Sequence, residues 1–500
     1  TAVAAVKESD SDTFLAEENV SWASLGISDR VSCALANIGL RRPSLIQASC
    51  IPAILSGADA VVAAETGSGK TYGYLVPLID RLCSTEKVQD NSASDDLRTR
   101  RHQNAFLVLC PNVMLCEQVV RMADSLCNGS GEPLLKTAAL CGRQGFSAKD
   151  PNVIVSTPVA LLNFLHSIDS EGHKRAEFIH GVKYVVFDEA DLLLCGSFQN
   201  QVIRLINMLR FDEKQLSRSQ SGEALRRDDT DSSADTIKEE ADFPEEEDEY
   251  DDSGDMHSEK ISDSQTENRK DWRRVRKTYS RSKQYIFVAA TLPLNGKRTA
   301  GGILKRMFLD AKWVSGNYLH RQNPRLEHRW VEVAIDTQAN ALIDAVKKTN
   351  GITNDSGGVR RTMVFANTVD AVEAIAKILK GAGIPCISYH RDISLDCRTQ
   401  NLLDFRQEGG TLVCTDAAAR GLDISNVSHV IQAEFATSAV DFLHRVGRTA
   451  RAGQRGLVTS LYTESNGNLV AAVRRAVVQH SPVEAAFSRK RSFRNKLKKK

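Results

Sequence analysis

The chain lacks any apolar run near the ~18 residues that a membrane-crossing helix needs. It also lacks a CxxC pair. Its 11 cysteines are scattered, without the Cys/His spacing of a zinc site, so free thiols in a reducing compartment are expected rather than a disulfide framework. Net charge is nearly absent as well, at +2. That balance conceals an asymmetry, because the acidic stretch Glu239 to Asp252 (EEADFPEEEDEYDD) is set against a basic end, Arg489 to Lys500 (RKRSFRNKLKKK). The chain begins at Thr1 without methionine, as it would if a leader had been removed, and it carries no address of its own.

At 500 residues, two domains are expected instead of one core. Short apolar runs that end in polar residues recur along the chain. The first half has AVVAAETGSGK (Ala60–Lys70), FLVLCP (Phe106–Pro111), VIVSTP (Val153–Pro158), YVVFDEAD (Tyr184–Asp191) and YIFVAAT (Tyr285–Thr291). The second half has TMVFANT (Thr362–Thr368), CISYH (Cys386–His390), TLVCTD (Thr411–Asp416), HVIQAE (His429–Glu434) and LVTSLYTE (Leu457–Glu464). Runs without alternation suit strands buried on both faces, and helix-like segments such as 113–126, 198–209, 369–380 and 395–407 separate them. The expectation is α/β, two tandem domains, each a parallel sheet flanked by helices. The boundaries expected are a flexible extension over 1–20, a first domain over 21–313, a linker over 314–325, a second domain over 326–486 and a basic tail over 487–500. Residues from about 212 to 279 are rich in Ser, Asp and Glu, so a disordered acidic insertion is expected there. An inert loop and a docking segment are equally open.

Ligands in such sheets bind at the carboxyl ends of the strands. There the run Ala60–Ala64 passes into Glu65, Thr66, Gly67, Ser68, Gly69, Lys70 and Thr71, a phosphate-binding loop between strand and helix. Its glycines let backbone N–H groups face phosphate, Lys70 reaches the β/γ-phosphates and the Thr71 hydroxyl suits Mg²⁺. Asp188 and Glu189 end another apolar run. Asp188 would hold the metal through water and Glu189 would polarise an attacking water. Taken alone, such a pair could equally be a solvated helix start.

Asp188-Glu189-Ala190-Asp191 is the motif that names the DEAD-box RNA helicases, and from about Ser21 to Ala485 the chain resembles that family in motif order. Gly39 to Gln47 (GLRRPSLIQ) resembles the family's Q motif. The resemblance implies that Gln47 reads the adenine edge and that Trp22 packs near the adenine, which favours ATP over GTP. Thr415 to Asp423 (TDAAARGLD) is similar to motif V, and His444 to Arg451 (HRVGRTAR) to motif VI. The resemblance then implies two RecA-like domains with Arg448 and Arg451 as arginine fingers across the cleft. Asp423 would contact the ribose, and Asp191, Thr291 and His444 would couple the domains. Thr157, Thr368, Arg391, Arg398, Thr415 and Arg420 would face RNA, bound largely without regard to sequence.

Several positions depart from the family pattern. PTRELA is replaced by Pro111-Asn112-Val113-Met114-Leu115-Cys116, TPGR by Thr157-Pro158-Val159-Ala160, the paired glycines by Gly142-Arg143 and SAT by Ala289-Ala290-Thr291. The basic tail Arg489–Lys500 could supply compensating phosphate affinity. Three readings follow: an ATP-driven RNA remodeller using Mg²⁺, an ATP-gated RNA clamp or assembly scaffold, and a DNA helicase, which the Q motif and motif VI disfavour. The chain resembles plant organellar members in particular. That implies a chloroplast address, with the mitochondrion as alternative, and a part in structured-RNA or ribosome assembly beside ribosomal or ribonucleoprotein partners. A monomer without a membrane is expected.

Overall fold

The computed structural model describes residues 14–90, 105–141, 151–168, 173–210, 283–292, 299–316, 319, 323, 325–351, 360–419, 424, 427–451 and 454–487. The chain divides into two compact units, Thr1–Asn207 with Lys283–Lys500, and Met208–Ser282. The second unit holds the expected acidic insertion over 212–279, which lies outside the described residues, as do residues 1–13, Gly142, Arg143, Arg420, Asp423 and the tail after Phe487.

The first unit carries two sheets. One has seven strands: β1 (Ala60–Ala63), β2 (Ala105–Leu109), β3 (Thr137–Leu140), β4 (Val153–Ser156), β5 (Val182–Asp188), β6 (Gln284–Ala289) and β7 (Lys312–Ser315). Their order is β3-β4-β2-β5-β6-β1-β7, and every pairing is parallel. The other has six: β8 (Leu326–Glu332), β9 (Arg361–Ala366), β10 (Cys386–Tyr389), β11 (Gly410–Thr415), β12 (Val427–Gln432) and β13 (Gly456–Tyr462). These run β10-β11-β9-β12-β13-β8, again all parallel.

All ten apolar runs are strands, and β1, β2, β4, β6 and β9 are buried along their whole length. The three strands that periodicity does not reveal are β3, β7 and β8, each at a sheet edge. An edge strand is covered less completely, so its sequence need not be continuously apolar. The linker expected from 314 begins later, because Val314 and Ser315 pair with Val62 and Ala63 in β7. Part of the segment expected as a flexible extension is placed: Leu15 bridges Ser44, and the Ala16 amide donates to the Pro43 carbonyl at 3.0 Å.

Side-chain caps seat the helices over the carboxyl edge of the sheets. Asn112, Thr157, Thr368, Ser394 and Ser438 each accept a backbone N–H of the helix that they start. In the first sheet Phe287 stacks on Phe187 at 4.8 Å and meets the edge of Phe308 at 4.6 Å. All three rings are fully buried. Phe287→Ala should therefore cost about 3–5 kcal/mol of stability, measured by urea denaturation. A change below about 1 kcal/mol would contradict this account of the core.

Candidate nucleotide and nucleic-acid site

The phosphate loop leaves the end of β1 and enters the helix Lys70–Asp90. Gly67 and Gly69 have φ of +81° and +96°, a conformation that favours glycine. Lys70 Nζ donates to the carbonyls of Ala64 (2.6 Å) and Glu65 (2.7 Å). Burial pushes the Lys70 pKa down, while Glu65, Asp188, Asp191 and Glu189 pull the other way. Thr71 sits half-buried in the first turn of that helix.

Two residues of the 39–47 segment hold the loop from beneath. Ser44 and Gln47 form a reciprocal capping box at the start of the helix Leu45–Leu55. Ser44 Oγ then donates to the Ser68 carbonyl at 2.8 Å, and Gln47 Nε2 to the Gly69 carbonyl at 3.0 Å. The Gln47 amide is thus committed at both ends, its Oε1 accepting from the Ser44 N–H at 2.8 Å. Adenine reading would have to use its remaining N–H and lone pair. Trp22 is buried in the core with Ile27 and Leu35, its indole N–H donating to the Leu40 carbonyl at 2.9 Å. The structure makes it an anchor for the segment that carries Gln47.

Asp188 ends β5, one strand removed from β1. Tyr74 Oη donates to its Oδ2 at 2.8 Å, and the Glu189 amide to its Oδ1 at 2.9 Å. Burial first, then the Glu189 charge, pushes the Asp188 pKa up to about 6, against the pull of Tyr74 and Lys70. Glu189 occupies the left-handed region, with φ 51°, a strain of about 1–3 kcal/mol that is common where function fixes a residue. Its Oε2 is buried without a hydrogen-bond partner.

Asp191 joins the two sheets. Its Oδ2 accepts from Thr291 N (3.0 Å) and Oγ1 (2.5 Å), and lies 3.2 Å from His444 Nε2. Desolvation would raise the Asp191 pKa, but the His444 and Thr291 contacts outweigh it and hold the carboxyl below its ordinary range. Thr291 therefore keeps this link although Ala289 stands where the family has serine.

His444 lies on the helix Ala439–Val446, and Arg448 and Arg451 follow that helix. Arg448 is buried, its Nε donating to the His444 carbonyl at 3.3 Å. Arg451 lays its stem over the phosphate loop: a Cβ added to Gly67 would stand 2.7 Å from Arg451 Cγ. Sequence reasoning passed over Arg445 of the same motif. It is fully buried, with Nε and Nη2 on the two oxygens of Asp416 (2.7 and 2.6 Å) and further bonds to the Glu434 carbonyl and Asn367 Oδ1, both 2.6 Å. The signal was available, since a guanidinium inside the hydrophobic register of a helix needs a buried carboxylate.

The residues expected at RNA also gather at carboxyl ends of strands. Thr157 follows β4 and Thr368 follows β9, their hydroxyls capping helices, while Thr415 ends β11. Arg391 is exposed and pairs with Asp392 at 3.3 Å. Arg398 is half-buried, with its Nε unpartnered. Met114, in the altered PTRELA segment, packs against the apolar core of the second sheet, and Val159, in the altered TPGR segment, is exposed.

Two parallel sheets with a phosphate loop in one and Arg451 from the other laid over it define a tandem RecA-like nucleotide-binding protein. Residues 44–221 match the DEAD/DEAH box helicase model and 340–453 the helicase conserved C-terminal domain. The chain is 60% identical over 497 residues to DEAD-box ATP-dependent RNA helicase 22 of Oryza sativa subsp. japonica, covering 97% of this chain and 85% of that protein. It is 58% identical to the Arabidopsis thaliana protein of the same name, covering 99% and 86%. The chain belongs to the DEAD-box helicase family. Its fold is also that of Mss116 bound to ssRNA and UDP-BeF (TM-score 0.65, 20% identity, covering 96% of this chain and 83% of that one) and of S. cerevisiae Dbp5 bound to RNA and ADP BeF3 (0.61, 16%, 96% and 99%).

Removing the Arg445 side chain should leave Asp416 and the Glu434 carbonyl without it. Arg445→Ala is expected to destabilise the chain by about 3–5 kcal/mol, measured as a lowered urea midpoint. An unchanged midpoint would show that the network is dispensable.

Proposed function

We propose that this chain is an ATP-dependent RNA helicase that hydrolyses ATP to ADP and phosphate in response to RNA. The observation that carries the reading is the composite site, in which Arg451 of one sheet domain covers Gly67 of the other. Only closure of the cleft assembles it, so hydrolysis is coupled to whatever closes the domains. Lys70 and the loop amides bind the β/γ-phosphates. Glu189, with an unpartnered carboxylate oxygen in the site, orients the attacking water and takes its proton. Arg448 and Arg451 offset charge on the transferred phosphoryl group. Thr71 and Asp188 provide the hard oxygen donors that suit Mg²⁺, and the crowding of Asp188 against Glu189 is what a cation relieves. When bound, Mg²⁺ neutralises phosphate charge.

RNA runs along the carboxyl edges of both sheets, past Thr157, Thr368, Arg391, Arg398 and Thr415. Phosphate and 2′-hydroxyl contacts there make recognition largely independent of sequence. Met114 favours a second reading, an RNA clamp or assembly scaffold, because an apolar contact between domains stands where the family grips RNA. The family resemblance supports a chloroplast address, with the mitochondrion as alternative, and work on structured RNA or ribosome assembly with ribonucleoprotein partners. We read the chain as a monomer. Among the described residues, no helix is long and apolar enough to cross a membrane.

ATP turnover with and without RNA, beside separation of a short duplex, decides between the readings. The remodeller shows RNA-stimulated turnover with strand separation, and the clamp shows stimulation without it. Turnover indifferent to RNA, with no ATP-dependent RNA binding, overturns both. Glu189→Gln should lower turnover at least ~100-fold while ATP still binds, and retained turnover would remove Glu189 from the role of base.

The raised pKa of Asp188 sets a pH dependence. Protonated Asp188 contributes stability that is full below the ordinary 3.8 and lost as pH rises through about 6. Cation binding needs the carboxylate, so apparent Mg²⁺ affinity should fall as pH drops below about 6, up to about tenfold per unit. Calorimetric titration of Mg²⁺ into the ADP complex at pH 5 and pH 7 tests this, and equal affinities would contradict it.

A further inference from the structure

Thr66 lies in the phosphate loop, yet its hydroxyl bonds outside the loop. It donates at 2.7 Å to the carbonyl of Gly447, 381 residues on and in the other sheet domain. A hydroxyl has one proton to give, so in this arrangement the Thr66 hydroxyl gives it to protein and not to a phosphate oxygen. The same Gly447 carbonyl accepts a second bond, from Arg451 Nε, also at 2.7 Å. The two lone pairs of one oxygen thus join a first-domain hydroxyl to the arginine that lies over Gly67.

The backbone around this carbonyl is held on both sides. Gly447 N donates to the Leu443 carbonyl at 2.9 Å and Arg448 N to the Arg445 carbonyl at 3.0 Å, so the carbonyl belongs to the end of the helix that carries His444. No side chain fits at Gly447. An added Cβ would fall 1.8 Å from Thr66 Oγ1, 3.0 Å from the Leu443 carbonyl oxygen and 3.1 Å from Thr66 Cβ. Its φ of −70° is open to any residue, so the need for glycine here is one of close approach and not of backbone conformation.

We propose that Thr66 is a positioning residue: its hydroxyl docks on the Gly447 carbonyl as the cleft closes and so fixes Arg451 over the phosphate loop. Lys70 and the loop glycines bind nucleotide in the open chain. The Thr66 bond forms only across the closed cleft, where it contributes to the reacting complex and not to ground-state ATP affinity. The inference rests on the ATPase reading of the site and assigns Thr66 a part in it beyond nucleotide contact.

Three variants of the full chain test it. Thr66→Val keeps the shape of the side chain and removes the hydroxyl, Thr66→Ser keeps the hydroxyl, and Gly447→Ala obstructs the approach. The readouts are kcat and KM for ATP under saturating RNA, the Kd of a fluorescent ATP analogue, and the dissociation half-life of single-stranded RNA in the presence of ADP–beryllium fluoride. Thr66→Val should lower kcat about tenfold, the scale of one lost hydrogen bond, and shorten the RNA half-life by a similar factor. Its KM and Kd should stay within about twofold of wild type, as in loss of an interaction made only in the reacting complex. Thr66→Ser should restore both losses, and Gly447→Ala should be at least as impaired as Thr66→Val. A Thr66→Val chain with weakened ATP binding and unchanged kcat would return the hydroxyl to the nucleotide, and one unchanged in every readout would show that the contact is idle. A wild-type chain without RNA-stimulated turnover would instead sink the ATPase reading, and the RNA half-lives would still compare Thr66→Val with wild type.

Discussion

The cleft depends on one buried carboxylate oxygen. Asp191 Oδ2 accepts two bonds from Thr291 of the first sheet domain and meets His444 of the second. A carboxylate withdrawn from water in this way is unfavourable unless it is paired, and one that gains its partners from two domains makes their separation unfavourable too. Losing His444 would leave Asp191 desolvated with Thr291 and the Leu192 amide alone to answer it. The contact therefore works as a latch whose strength comes from burial, in the same closed arrangement that lays Arg451 over the phosphate loop.

Around this latch the two sheets divide the labour. The first supplies phosphate-binding backbone, Lys70 and the carboxylates, and the second supplies the arginines that follow the helix Ala439–Val446, which the Arg445–Asp416 pair ties to its own domain. The altered PTRELA segment adds an apolar element, Met114 against the second core. An apolar contact of this kind has no directional requirement, and it adds burial to the polar Asp191–His444 contact between the same two domains.

Much of this was legible in the sequence, for identifiable reasons. Strands buried on both faces appear as unbroken apolar runs, so β1, β2, β4, β5 and β6 and their counterparts β9 to β13 could be read. The edges β3, β7 and β8 could not, because an incompletely covered strand tolerates residues such as Lys312 and Glu327. Within the site, the loop Glu65–Thr71 and the Asp188–Glu189 pair are contiguous in sequence, which makes their chemistry readable. Contacts between distant segments are not. Nothing local tells Trp22 to hydrogen-bond to Leu40, Gln47 to hold Gly69, or Thr66 to reach Gly447, because these bonds exist only once the chain is folded. Arg445 is hidden in the sequence for the opposite reason: it stands among other motif arginines, and only burial separates a structural guanidinium from one that faces the cleft.

Closure itself is the claim that most needs measuring. Interdomain energy transfer, with one dye on each sheet domain of the full chain, should be recorded in four conditions: without ligand, with a non-hydrolysable ATP analogue and Mg²⁺, with single-stranded RNA, and with all together. The account predicts that the short-distance population is largest when nucleotide and RNA are both present, and that Asp191→Asn depletes it. The same distance distribution in all four conditions, or one indifferent to Asp191→Asn, would contradict it.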